Sequence, residues 1–219
     1  MNRELIYSTL FARLTSPPLV FTFTADLMAG DPVLSAVSDD TGLLVGMPIT
    51  GRGIAEGTVL EAVAPVTLSK APTIIGTAVL LTQGIANPLR ILVPIGEVTA
   101  FPTMCVIEGP ESYPSAASGF PHAPSNQPQL ITLEPYVWLY AQAKQPDAIP
   151  NQGVNALLDA IDKVMLPADG RSWQNLGLRG VHHCRIEGRN LRAPGVDGSV
   201  SARLQFGIQV MQGIDTVPL

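Results

Sequence analysis

Between Asn2 and Leu14 the apolar positions Leu5, Ile6, Leu10 and Leu14 recur near the 3.6-residue helical period, with Asn2 placed to cap and Glu4 in the first turn. The pattern predicts a helix. Thr15-Ser16-Pro17-Pro18 ends it, because neither proline can continue the hydrogen-bond ladder. From Leu19 to about Gly84 the pattern changes to short β-rich runs: Val20–Phe23, Val33–Val37, Leu43–Val45, Thr58–Leu60, Pro65–Ser69 and Ile74–Leu80. Turn signals such as Ala29-Gly30-Asp31-Pro32, Asp39-Asp40-Thr41-Gly42 and Gly51-Arg52-Gly53 separate them, and no helix-period window occurs. The stretch reads as an all-β module of about 65 residues, a size at which a domain can just fold alone.

After Ile85-Ala86-Asn87-Pro88 the pattern changes again. Phe101–Gly109 is a mostly apolar run of interior-strand type, and Pro110–Pro128, rich in Pro, Ser, Ala and Gly, reads as a long exposed loop. Gln129–Ala141 alternates as a long strand, with Pro135 breaking its row of donors and indicating an edge or a bulge. Asn151–Leu166 carries the clearest helical stripe (Val154, Leu157, Leu158, Ile161, Val164, Met165), ended by Pro167. Gly180–Glu187 and Val200–Met211 are further strands. In the second, Val200, Ala202, Leu204 and Phe206 share one face and Gly207 is expected to shift the phase. The expected fold class is α+β: a small sheet packed with two helices, built from residues 1–18 and 85–219. The all-β module, residues 19–84, is spliced into it with its two ends close together.

Composition narrows the function. The 219 residues include 20 glycines and 20 prolines, only 14% charged positions and 46% hydrophobic ones, which fits a folded chain of strands and turns. The net charge of −5 argues against a protein whose whole surface binds nucleic acid. Two cysteines are too few for a disulfide framework, no apolar run reaches the ~18 residues of a membrane span, and the first residues lack a signal-peptide core. A soluble protein made in the cytoplasm is expected. The charge is uneven: six arginines between Arg171 and Arg203 face Glu187 and Asp197, a balance of +4, so the remainder carries −9. Lysine is confined to Lys70, Lys144 and Lys163, and arginine without lysine suits bidentate and stacked contacts at protein interfaces.

No catalytic constellation emerges. His182-His183-Cys184 is the one metal-like cluster; on a strand His182 and Cys184 would share a face, and a tetrahedral site would still need Cys105. The alternative is that Cys184 is core filler. The glycines of Gly51-Arg52-Gly53-Ile54-Ala55-Glu56-Gly57 lack the nucleotide-fingerprint spacing and read as turns. Glu108/Glu111 and Asp159/Asp162 are paired by spacing only. No catalytic, cofactor or metal residue is expected, and the chain is not expected to be an enzyme.

Two resemblances bear on function. Asn2-Arg3-Glu4-Leu5-Ile6-Tyr7, Pro102 ahead of an apolar run to Glu108, Leu157-Leu158-Asp159-Ala160-Ile161, Gly170-Arg171 with Gln174-Asn175-Leu176-Gly177, and Val181 to Gly188 together resemble tail terminator proteins of long-tailed bacteriophages and prophages. The likeness covers residues 1–18 and roughly 85–219. It departs from the family at Gly177-Leu178-Arg179-Gly180, where relatives usually carry paired glycines, and the compact form of the family lacks residues 19–84. Thr41–Val59 with Val66–Thr73 resembles a β-rich repeat of phage structural and fibre-like proteins. The resemblance implies a virion protein, assembled in the host cytoplasm. It would form a homo-oligomeric ring, usually a hexamer, that stops tail-tube growth and contacts the tail tube protein and the head-tail connector proteins. DNA would pass through the lumen without specific binding. Arg185, Arg189 and Arg192 are the candidate ring or tube contacts. A head-completion protein seated on the portal and a carbohydrate-binding virion module are the alternatives; residues 19–84 contain no Trp or Tyr for sugar stacking.

Overall fold

The computed structural model describes residues 2–91, 100–112, 130–142, 152–167, 174–192, 199–211 and 216–218. Most of the Pro110–Pro128 loop, and Gly170-Arg171, lie outside them. Helix α1 spans Arg3–Leu14, with the Asn2 side chain accepting from the Leu5 N–H at 3.1 Å, so the predicted cap forms. Helix α2 spans Gln152–Val164 and buries Val154, Leu157, Leu158 and Ile161. Each of those side chains contributes about 1.5–3 kcal/mol on burial, far more than intrinsic propensity gives so short a helix. Arg13 of α1 donates to the carbonyls of Val164 and Leu166, placing a cation at the C-terminal end of α2 and tying the helices together.

Strands dominate the chain. Residues 19–84 hold β1 (Val20–Leu27), β2 (Ile49–Gly51), β3 (Leu60–Val63), β4 (Val66–Leu68) and β5 (Gly76–Gly84), arranged as a β1-β5-β2 sheet and a β3-β4 hairpin. Two of the expected runs do not become strands. Val33–Val37 makes only isolated bridges, Asp26↔Ser35 and Val33↔Thr67. Leu43–Val45 is a turn, because the Leu44 N–H is taken by the side chain of Gln83 at 2.7 Å.

The remaining strands form one seven-stranded sheet and a small pair. They are β6 (Asn87–Ile91), β7 (Thr103–Ile107), β8 (Glu111–Ser112), β9 (Leu130–Leu133), β10 (Tyr136–Gln142), β11 (Leu178–Arg179), β12 (Val181–Arg192), β13 (Ser199–Met211) and β14 (Val217–Pro218). β11 pairs with β14; β6 adds parallel to β7, where the sequence suggested only a boundary. β9 and β10 lie end to end along β13 in one register (Leu133↔Ile208, Tyr136↔Gln205), so residues 130–142 form a long strand nicked at Glu134-Pro135. Pro135 is interior to the sheet. The irregularity lies on its neighbour, where one more residue separates Ile107 from Glu111 than separates Tyr136 from Leu133. Gly109 occupies that bulge, and a Cβ there would fall 1.6 Å from the Glu134 carbonyl oxygen.

Gly207 does not shift the phase of β13: Val200, Ala202, Leu204, Phe206, Ile208 and Val210 are all buried. The bulges fall on β12 instead, between Val181 and His183 and between Ile186 and Gly188. Gly207 supplies the space for the second, since a Cβ there would meet the Glu187 carboxylate at 2.2 Å.

Buried residues form two clusters. One joins the helices to the inner face of the seven-stranded sheet: Ile6, Leu10 and Leu14 with Leu157, Ile161, Val137, Leu139, Leu204 and Phe206. The other lies wholly within residues 23–81, around Phe23, Ile49, Leu60, Leu68 and Leu81. Leu19, Met47 and Ile85 belong to the first cluster, so residues 19–84 give two buried side chains, Leu19 and Met47, to the main core, with Val20 and Leu44 packed against it.

Candidate interaction surface

Alternation along β10 sorts its side chains. Val137, Leu139 and Ala141 point into the helix-covered core, which leaves Tyr136, Trp138 and Tyr140 on the opposite face, all half-buried. Antiparallel pairing places Arg203 of β13 directly beside Trp138, Ser201 beside Tyr140, and then Asn190 and Arg192 of β12 beside Arg203 and Ser201. The guanidinium of Arg192 lies over the Trp138 ring at 4.8 Å, and that of Arg203 lies 5.3 Å from the Tyr136 centroid and 5.9 Å from that of Trp138. Trp138 and Tyr140 stack with centroids 6.1 Å apart and planes 14° apart. Each such cation–ring contact is worth about 0.5–1 kcal/mol at an exposed site and holds the arginine in one orientation.

Beside this stripe and on the same face, Cys105 of β7 pairs with Trp138 and is fully buried; burial pushes its thiol up to about 11. The Tyr140 hydroxyl is raised chiefly by desolvation, then by Cys105, against the opposing effect of Arg192.

The three arginines expected at an interface do not form one patch. Arg189 lies on the helix side and pairs with Asp162 of α2. Arg185 pairs with Glu187 at 3.2 Å beside the bulge. Only Arg192 joins the aromatic stripe, where its companion is Arg203. The stripe itself was legible as aromatic residues at i, i+2 and i+4 of a strand (Tyr136, Trp138, Tyr140), opposite the apolar Val137, Leu139 and Ala141; the arginines that meet it were not, because register alone brings them there.

The other singled-out groups disperse. The bulge after Val181 puts the Nδ1 atoms of His182 and His183 3.1 Å apart and leaves Cys184 in the core, so His182 and Cys184 do not share a face. Burial pushes the Cys184 thiol up to about 12, with Arg13 opposing. Two strands, β10 and β13, stand between Cys184 and Cys105. Among the described residues no group of three or more His, Cys, Asp or Glu is placed to hold a metal ion. Arg90 binds Glu4 and Glu108 at once and lies 5.7 Å from the Tyr7 ring, while Glu111 pairs with Arg3. The Arg90–Glu4 and Arg3–Glu111 pairs tie α1 to the sheet, and Arg90–Glu108 lies within the sheet's own edge. A groove of about 760 Å³ runs between the end of α2 and β12, lined by Met165, Leu166, Cys184 and Ile186 with Asp162 and Arg189 at its rim. Its one carboxylate is already ion-paired. No described helix is long and apolar enough to cross a membrane.

No protein-family model matches the chain, and no curated protein matches it at a significant level.

Proposed function

We propose that this chain is a virion structural protein whose copies form a ring, a hexamer, at the head-proximal end of a long phage tail. There the ring caps the tail tube, ends its elongation and joins the tail to the head connector. One observation carries the reading. The helices cover a single face of the large sheet, and the other face presents Tyr136, Trp138 and Tyr140 with Arg192 and Arg203 stacked on them. Tyr, Trp and Arg are the residue types enriched where proteins bury surface against each other.

In this reading residues 1–18 and 85–219 are the ring-forming unit and residues 19–84 an inserted module. Function is surface complementarity without turnover. The tail tube protein and connector proteins are the partners, and the net charge of −5 suits a lumen through which DNA passes without being gripped.

Two measurements test it. The mass of the purified full chain in solution is expected to be about six times that of one copy. Labelled protein is expected, by electron microscopy, at the junction of tail and head. A monomer at every concentration, or a label confined to the portal of tail-less heads, overturns the proposal.

A further inference from the structure

Most of the described arginines have their charge answered within the chain. Arg3 pairs with Glu111, Arg90 with Glu4 and Glu108, Arg185 with Glu187 and Arg189 with Asp162; Arg13 donates to two carbonyls at the end of α2. Among the described residues Arg52, Arg179, Arg192 and Arg203 have no carboxylate within ion-pair distance, and of these four it is Arg192 and Arg203 that are held against rings. A stacked guanidinium keeps its N–H fork free and already oriented, so ordering it for a bidentate contact costs little side-chain entropy.

A single-stranded nucleic acid fits this face poorly. Bases bind by stacking on open aromatic faces, and here the guanidinium groups already lie over Tyr136 and Trp138. The unmet capacity is for carboxylates.

The chain carries such a counterpart on a different surface. Residues 19–84 hold six acids against Arg52 and Lys70. Asp39 and Asp40 stand together in an exposed turn, with the Asp39 carboxylate oriented by the Thr41 N–H at 2.9 Å and the Thr41 hydroxyl at 2.7 Å. Those two bonds hold the Asp39 carboxyl below its ordinary range, so it stays ionised at neutral pH. Among the described residues no ion pair joins Asp39 or Asp40 to Arg192 or Arg203. A basic patch and an acidic patch at different places on one protomer form a heterologous contact, which propagates head to tail and makes a ring when the rotation between copies closes.

We infer that the Arg192–Arg203–Trp138 face of each copy docks the acidic turn at Asp39-Asp40 on the inserted module of the next copy. The inference rests on the ring reading and assigns the module a part in holding the ring.

Reciprocal charge exchange in the full chain tests it. The double variants R192E/R203E and D39R/D40R each place like charges across the contact, and each is expected to run as a folded monomer by solution mass and circular dichroism. Mixed in equal amounts they are expected to recover the ring mass, because each variant then meets a complementary neighbour on both sides. A chain carrying all four changes is expected to form the ring alone.

If the wild type forms a ring and both double variants keep it, or if mixing restores nothing, the docking is wrong while the ring reading stands. If the wild type is monomeric throughout, the ring reading itself falls, and the docking with it. A wild-type ring that binds a fluorescent single-stranded oligonucleotide, with binding lost and the ring kept in R192E/R203E, would reassign the face to nucleic acid.

Discussion

The Ile85 N–H donates to the Leu19 carbonyl at 2.7 Å, immediately beyond the Val20↔Gly84 pair that joins β1 to β5. The chain therefore leaves α1 and returns to β6 through one doorway two strands wide. Phe23, Ile49, Leu60 and Leu81 form a separate core beyond it, while Leu19, Met47 and Ile85 sit in the main core at its threshold.

Excising residues 19–84 and closing the gap with a short Gly/Ser join should leave the helices and the large sheet folded, since their ends already meet. The remainder also loses the buried Leu19 and Met47, and truncating either one to Ala is expected to cost about 2–5 kcal/mol. Circular dichroism and urea unfolding of the shortened chain check this. An insoluble product would mean that residues 19–84 are integral to the main core.

Gly84 has φ +85°, and a Cβ there would lie 2.0 Å from the Leu19 carbonyl oxygen. Gly84→Ala combines left-handed strain with a backbone clash and should destabilise by at least about 2 kcal/mol. Gly30→Ala is the control: its φ is also positive, +83°, but nothing lies within 4 Å of its Cβ position. The urea midpoint should fall much further for Gly84→Ala.

Gln83 is fully buried and satisfies three backbone groups from two loops: it accepts from the Leu44 N–H at 2.7 Å and donates to the Gly42 and Pro18 carbonyls at 3.0 and 3.3 Å. Gln83→Leu retains bulk and strands those groups, so a loss of about 2–3 kcal/mol is expected. An unchanged unfolding midpoint would show that water replaces the amide.

Both thiols and the Tyr7 hydroxyl are raised by burial, Cys105 to about 11 and Cys184 and Tyr7 to about 12, from ordinary values of 9.0 for a thiol and 10.0 for the phenol. The folded chain therefore keeps protons that the unfolded chain releases. Their contribution to stability is fully present below about pH 9 and lost as pH rises toward 12. Urea midpoints should fall steadily above pH 9, and Cys184→Ala should flatten part of that slope. At pH 8 a thiol reagent should label neither cysteine until denaturant is added; rapid labelling of the native chain would contradict the burial.

The helices were readable from sequence because their determinants are local: an asparagine cap, a 3.6-residue apolar period and a proline stop act within a few residues of one another. The apolar run at Thr103–Ile107 and the alternation of residues 199–211 were readable for the same reason. Tertiary pairing decided the rest. Whether Val33–Val37 became a strand depended on which neighbour offered an edge, and Leu43–Val45 lost its donor to Gln83. The expected break at Gly207 moved to the facing strand, where Glu187 needed the room. The candidate surface follows the same division. Its aromatic stripe is written in one strand, but Arg203 and Arg192 reach Trp138 only because antiparallel register sets β13 beside β10 and β12 beside β13. A one-residue slip would turn every one of those side chains to the opposite face.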